Sequence, residues 1–144
     1  MATGAVTLWL RDYPPGFVLT IIIIIKELET WMKNKSTASN IIRAICRGLE
    51  SWNKEQPMDT KNFSLRVQNA IAQQERIGWR NLTEGFPANK WSELQAENYQ
   101  QIRSRRSSRR WIAALVKKLA EMTWQMWDHP NTVNNEKATA TLSL

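Results

Sequence analysis

From Phe17 to Met32 the apolar positions fall at helical spacing. Ile21, Ile25, Leu28 and Met32 form one stripe, with Ile24 and Trp31 beside it. The β-branched run 21–25 alone would suit a strand. The continuation KELETWMK is plainly helical, so one helix with a very apolar first half is predicted. Asn34–Ser39 is polar, and Ser36 or Ser39 is placed to cap the next helix. There Ile41, Ile45, Leu49 and Trp52 share a face with Ile42 and Cys46, while Arg43, Arg47, Glu50 and Asn53 point away. Pro57 breaks the pattern. A third helix carries Phe63, Val67, Ala70, Ile71 and Gln74 on one face and ends near Gly78.

Residues 79–90 form a connection with a short helical turn around Leu82, interrupted by Gly85 and Pro87. Trp91, Leu94 and Asn98 open a fourth helix that reaches about Arg103, with Tyr99 and Ile102 near its end. Ser107 or Ser108 caps the last helix. Its apolar positions are Trp111, Ile112, Leu115, Val116, Leu119, Ala120, Met122, Trp124, Met126 and Trp127, and a face this wide predicts contact from two sides. Pro130 marks its end. Before Phe17, Pro14-Pro15-Gly16 punctuates an aperiodic segment. The expected architecture is an all-α single domain, a bundle of about five helices over 17–130. A flexible arm (1–16) and a disordered tail (131–144) flank it.

Composition narrows the chemistry. At 144 residues the chain can bury a real core, and with five Gly and five Pro it lacks the turns of a many-stranded β fold. Cys46 is the only cysteine, which rules out an internal disulfide and favours an intracellular setting, with the nucleus among the options. His129 is the only histidine, so a Cys/His zinc site lacks ligands and no catalytic triad is marked. No metal, no cofactor and no enzymatic activity is expected. Phe17–Ile25 is the most apolar run and is far shorter than the roughly 20 residues a bilayer span needs, so no membrane role is predicted.

Charge changes the picture more. Arg103, Arg105, Arg106, Arg109, Arg110, Lys117 and Lys118 lie in one stretch without an Asp or Glu. The other 13 basic residues are balanced by the 13 acidic ones, so the whole net charge of +7 comes from this stretch. Such a local field points to a polyanion, and nucleic acid is the commonest. Arginine forks bind phosphates bidentately, and binding of this kind is salt-sensitive and largely sequence-independent. Arginine at a helix N-terminus opposes the helix dipole, which argues for some use of the charge. Ser104, Ser107 and Ser108 lie among the arginines in a pattern basophilic kinases accept, and a phosphate there would oppose anion binding.

Eight tryptophans are the other distinctive feature. Trp31, Trp52, Trp91, Trp111, Trp124 and Trp127 occupy apolar helical positions and read as core. Trp9 and Trp79 fall outside the periodic stretches and are the better candidates for stacking on an unpaired base, with Trp111, beside the arginines, a third.

Five fragments carry a resemblance: ELETWM (27–32), AICRGLESW (44–52), AIAQQERIGWRNLTEGF (70–86), KWSELQAENY (90–99) and SSRRWIAALVKKLAEMTWQMWDHPNTVNN (107–135). Together they resemble a helical region of unknown function found downstream of reverse-transcriptase-like sequences in retroelements of diatoms and other eukaryotes. The most specific parts are Gln74-x-x-Ile77-Gly78-Trp79 and Arg109-Arg110-Trp111-x-x-Ala114-Leu115. Ser108 stands where that region commonly has Gly or His. The resemblance implies an origin in a mobile element, in the company of nucleic-acid-handling domains. Residues 1–26 lie outside it, which predicts a detached piece with a new N-terminus. The region's ending would put Arg at the position of Pro130 and His at that of Asn135, a spacing that also resembles the Arg-Asn-x-x-x-His signature of HEPN helical ribonucleases. With both ionisable groups replaced here, acid–base cleavage of RNA is not expected.

The sequence thus predicts a non-catalytic helical domain that contacts DNA or RNA through Arg103–Lys118. A second reading stays open, in which the Ile-rich and Trp-rich helices dock a partner helix or a second copy.

Overall fold

The computed structural model describes the backbone of residues 17–143 and the side chains of residues 21–125. Among the described residues six helices follow in order: α1 (Phe17–Asn34), α2 (Ser39–Asn53), α3 (Leu65–Ile77), α4 (Trp79–Thr83), α5 (Asn89–Gln101) and α6 (Ser108–Ser143). Among the described residues there is no strand, and the architecture is an all-α bundle. The helical turn expected around Leu82 is α4. The helical backbone of α6 continues past Pro130, where the pattern puts its end. A proline ring suits helical φ, and what it removes is one backbone donor and the room beside the preceding carbonyl.

The helices close a ring. α1 packs on α2, α2 on α3, α3 on α5 and α5 on α6, and α6 returns to α1. The short α4 plugs the ring between α2, α3 and α6. Each long helix turns the predicted stripe inward: Ile21, Ile24, Ile25, Leu28 and Met32 from α1, and Ile41, Ile45 and Leu49 from α2. Val67, Ala70 and Ile71 from α3 join Trp91 and Leu94 from α5 in the same core. Phe63 is buried too, but from the connection before α3, with the Arg43 guanidinium 4.9 Å from its ring centroid. Arg43 therefore leans on Phe63 rather than simply facing solvent.

Two departures from the expected pattern concern tryptophan. Trp79, expected to be exposed, is only 8% accessible. Its indole lies against the bare backbone of Gly48 in α2, where an added Cβ would sit 2.1 Å from Cη2. Conversely, Trp124 is 56% exposed, and Val116 and Ala120 are exposed with it. Over this part α6 buries one stripe (Trp111, Leu115, Leu119, Met122) and is not enclosed from both sides. The helix packs against α1, α4 and α5, and its Val116–Ala120–Trp124 side stays exposed. Trp127 and Trp9 lie outside the described side chains.

Two buried glutamines knit the elements together. Gln74, fully inaccessible, donates to the carbonyls of Gly78 and Phe86 (both 3.3 Å) and accepts from the Ala88 N–H (2.7 Å) and Trp91 Nε1 (3.0 Å). All four hydrogen-bonding positions of its amide are used. Gln95, equally buried, accepts from the Ala38 N–H (2.9 Å) and donates to the Ser36 carbonyl (3.0 Å). This clamp does the capping of α2 that the sequence assigns to Ser36 or Ser39. The N-cap residue is Ala38, whose side chain has no oxygen to offer.

Candidate functional site

The basic stretch occupies the α5–α6 connection and the first turns of α6. Its shape starts from a helix end. Arg103 holds φ 55°, and the Ser104 N–H reaches back to the Tyr99 carbonyl (2.8 Å) while the Arg103 N–H bonds the Gln100 carbonyl (3.2 Å). This left-handed cap turns the chain sharply out of α5. Ser104 Oγ then accepts from the Arg106 N–H (3.1 Å). Ser107 is the cap of α6, with its Oγ accepting from the Arg110 N–H (3.4 Å) and its carbonyl from the Trp111 N–H (3.0 Å). Both serines thus fix the local backbone on which the arginines ride.

Arg103, Arg105, Arg106, Arg109, Arg110 and Lys117 are all exposed. Lys118 differs. It is largely covered, and its Nζ lies 3.4 Å from Glu27 Oε1, an ion pair that ties α6 to α1. Its charge is matched within the protein, whereas the others project into solvent.

Arg105, Arg106 and Arg110 converge with Lys35, from just beyond the end of α1, on a cavity of about 650 Å³. Tyr99 and Trp111 also line it, and among the described residues none that lines it is acidic. Lys35 is the member the sequence reading misses. It lies far away in sequence, in a polar connection without a motif, and only the tertiary fold brings it across. That connection is firmly held. Asn98 Nδ2 joins Gln95 on the Ser36 carbonyl (3.2 Å), Tyr99 Oη donates to the Lys35 carbonyl (3.4 Å) and Arg106 Nη1 donates to Ser36 Oγ (3.2 Å). The Lys35 ammonium also lies 5.9 Å from the centroid of the Trp31 ring.

Trp111 is not a stacking platform. It is 4% exposed, and its Nε1 donates to Thr37 Oγ1 at 2.8 Å. Tyr99 is as deeply buried. Both aromatics present edges of an already satisfied core, so they make a stiff wall rather than a surface for a base. Trp79, beneath Gly48, is likewise out of reach. What remains for a ligand to meet is charge.

The other chemistry is quiet. Cys46 is buried in α2, and that burial, reinforced by Glu29 and Glu50, pushes its thiol up to about 12. It stays protonated and unreactive at neutral pH. Among the described residues no three Cys, His, Asp or Glu side chains come together as a metal site requires. No helix is long and apolar enough to cross a membrane, among the same residues. His129 and Asn135 lie beyond the described side chains.

Fold and site define a small all-α domain with a cationic cavity on one edge. Comparison with family models, with curated proteins and with solved structures gave no match.

Proposed function

We propose that this domain contacts nucleic acid, without catalysis, through the cationic edge formed by the α5–α6 connection and the start of α6. The observation that carries this reading is that Lys35, Arg105, Arg106 and Arg110 line one cavity with no carboxylate among its described lining residues. An anion in the cavity would be met by cationic side chains from two separate parts of the chain. Arg109 and Lys117, exposed on the first turns of α6, extend the positive surface beyond the cavity. Guanidinium forks match phosphate oxygens in geometry as well as sign. The buried state of Trp79 and Trp111 argues for phosphate contact over base stacking, hence for weak sequence preference. The resemblance to a retroelement-associated region supports the same partner class, and a nuclear or other intracellular setting would go with it.

Replacing Arg105, Arg106, Arg109 and Arg110 together by Gln tests the reading. The variant should bind DNA and RNA oligomers more weakly at every sequence. The slope of log affinity against log salt should flatten by up to about four units, one for each phosphate no longer neutralised. Unchanged affinity and slope would remove the basis of the proposal.

A second reading has one observation in its favour. Phe86 is 60% exposed, and the adjoining Gly85 lies against the Val116 carbonyl and Ala120 Cβ (3.6 and 3.9 Å from an ideal Cβ). Phe86 is thereby brought near the exposed Val116–Ala120–Trp124 stripe of α6. An apolar strip of this kind suits a protein partner.

A further inference from the structure

The shape of the cavity carries the nucleic-acid reading one step further, to the kind of phosphate bound, and this step rests on that reading. A phosphodiester inside a strand bears one negative charge, and the chain leaves it on both sides. It is best met by cations set along an open ridge. A phosphomonoester at a strand end bears about −1.5 to −2 charges near neutral pH and three terminal oxygens. It can enter a recess end-on and be met from several directions. The cavity here is a half-open basin rather than a ridge, and it offers cations from more than one element. Its cations come from two sequence-distant places, Lys35 after α1 and Arg105, Arg106 and Arg110 around the start of α6, with Tyr99 of α5 completing the wall. Its volume of about 650 Å³, open to solvent, leaves ample room for a phosphate group.

Part of the wall is also set in advance. Arg106 is held by Ser36 Oγ at 3.2 Å, and the connection that carries Lys35 is fixed by Gln95, Asn98 and Tyr99. Holding Arg106 and the Lys35 backbone in advance lowers the ordering cost of binding. Arg109 and Lys117 do not line it but lie exposed on the same end of α6, where diesters next to a bound end would pass.

We propose that this cavity takes the terminal phosphomonoester of a nucleic-acid strand, with Lys35, Arg105, Arg106 and Arg110 around the phosphate and Arg109 and Lys117 on the diesters beyond it. The protein would then recognise an end rather than a sequence.

The experiment uses the full chain and fluorescent oligomers of one sequence, single- and double-stranded, bearing a 5′-phosphate, a 3′-phosphate or hydroxyls at both ends. Binding is measured at matched ionic strength. One of the phosphorylated ends should bind about tenfold more tightly than the hydroxyl form, equivalent to about 1.4 kcal/mol. Which one does so identifies the strand polarity. Inorganic phosphate should erase the difference at concentrations where chloride of equal ionic strength does not. K35Q and R110Q should bring the ratio close to one. R109Q and K117Q should weaken all oligomers alike and leave the ratio intact. All four positions are exposed, and thermal melts confirm that each variant is folded. Equal affinity for phosphorylated and hydroxyl ends overturns the end-recognition proposal while nucleic-acid binding stands. No binding to any oligomer overturns both.

Discussion

Gln74 shows how a single side chain can organise a fold from an unpromising position. The periodic pattern places it on the inward face of α3 among Val67, Ala70 and Ile71, and that placement holds. What the pattern cannot convey is its partners, which lie 4 to 17 residues further along the chain and are brought to it by α4 and the connection to α5. Gln74→Leu keeps the size and raises the hydrophobicity, yet strips the Ala88 and Trp91 donors and the Phe86 carbonyl of their partner in a dry interior. We expect destabilisation by about 2–5 kcal/mol in urea or thermal unfolding, since each buried group left unsatisfied costs about 1–3 kcal/mol. A variant as stable as the parent would show the network to be dispensable. Trp79 is illegible in the sequence for a related reason. A helix of five residues is too short to display a period, so Trp79 reads as loop. The available signal lies on the other side of the contact, a glycine at position 48 in mid-helix, which marks close backbone approach.

At the scale of elements, the helices are legible in the sequence and only some of their ends are. Starts and stops are usually read from glycine after a helix and serine before it, but three helix ends here carry Ser36, Glu55 and Arg103 in the left-handed conformation. α2 takes its capping bond from Gln95 on another helix, a donor–acceptor relation that no local rule can see. Gly78 ends α3 where the pattern expects it, and at the start of α6 Ser107 takes the expected capping role. That role separates stability from binding in one substitution. Aspartate caps about as well as serine, and its charge suits a helix N-terminus by about 0.3–1 kcal/mol. Ser107 also lines the cationic cavity. Ser107→Asp should therefore melt at the same temperature as the parent or slightly higher, while its affinity for nucleic acid falls severalfold at low salt. Equal affinity in parallel titrations would place the bound phosphate away from this cavity. A phosphate on Ser107 would act in the same sense with greater charge.

Across the whole molecule, the ring of helices decides which apolar residues go to the core and which stay outside. Ile21, Ile24 and Ile25 turn inward while Ile22 and Ile23 remain exposed, as a helix requires of any uninterrupted run. Phe86 and Trp124 are left on the outer side. Sedimentation of the parent and of a Phe86→Ser, Trp124→Ser double variant measures what that side does. If the cationic edge alone carries function, both sediment as the same species and bind nucleic acid equally. Self-association seen in the parent and absent from the double variant would establish the partner reading.

The basic stretch itself is legible from charge alone, yet the cavity is not, because its walls are joined by bonds spanning 70 and 74 residues, Arg106 to Ser36 and Trp111 to Thr37. An unfolded or half-synthesised chain offers the same arginines as a loose polycation, and any polyanion can hold it. The recess with Lys35 in place belongs to the native state only. A ligand that needs the recess binds one side of the folding equilibrium and pulls the chain toward it by mass action, whereas one that needs only charge gives the native state no such advantage. On the proposed reading, selectivity and completed folding are linked in this domain: only a chain that has closed its ring would tell one anion from another.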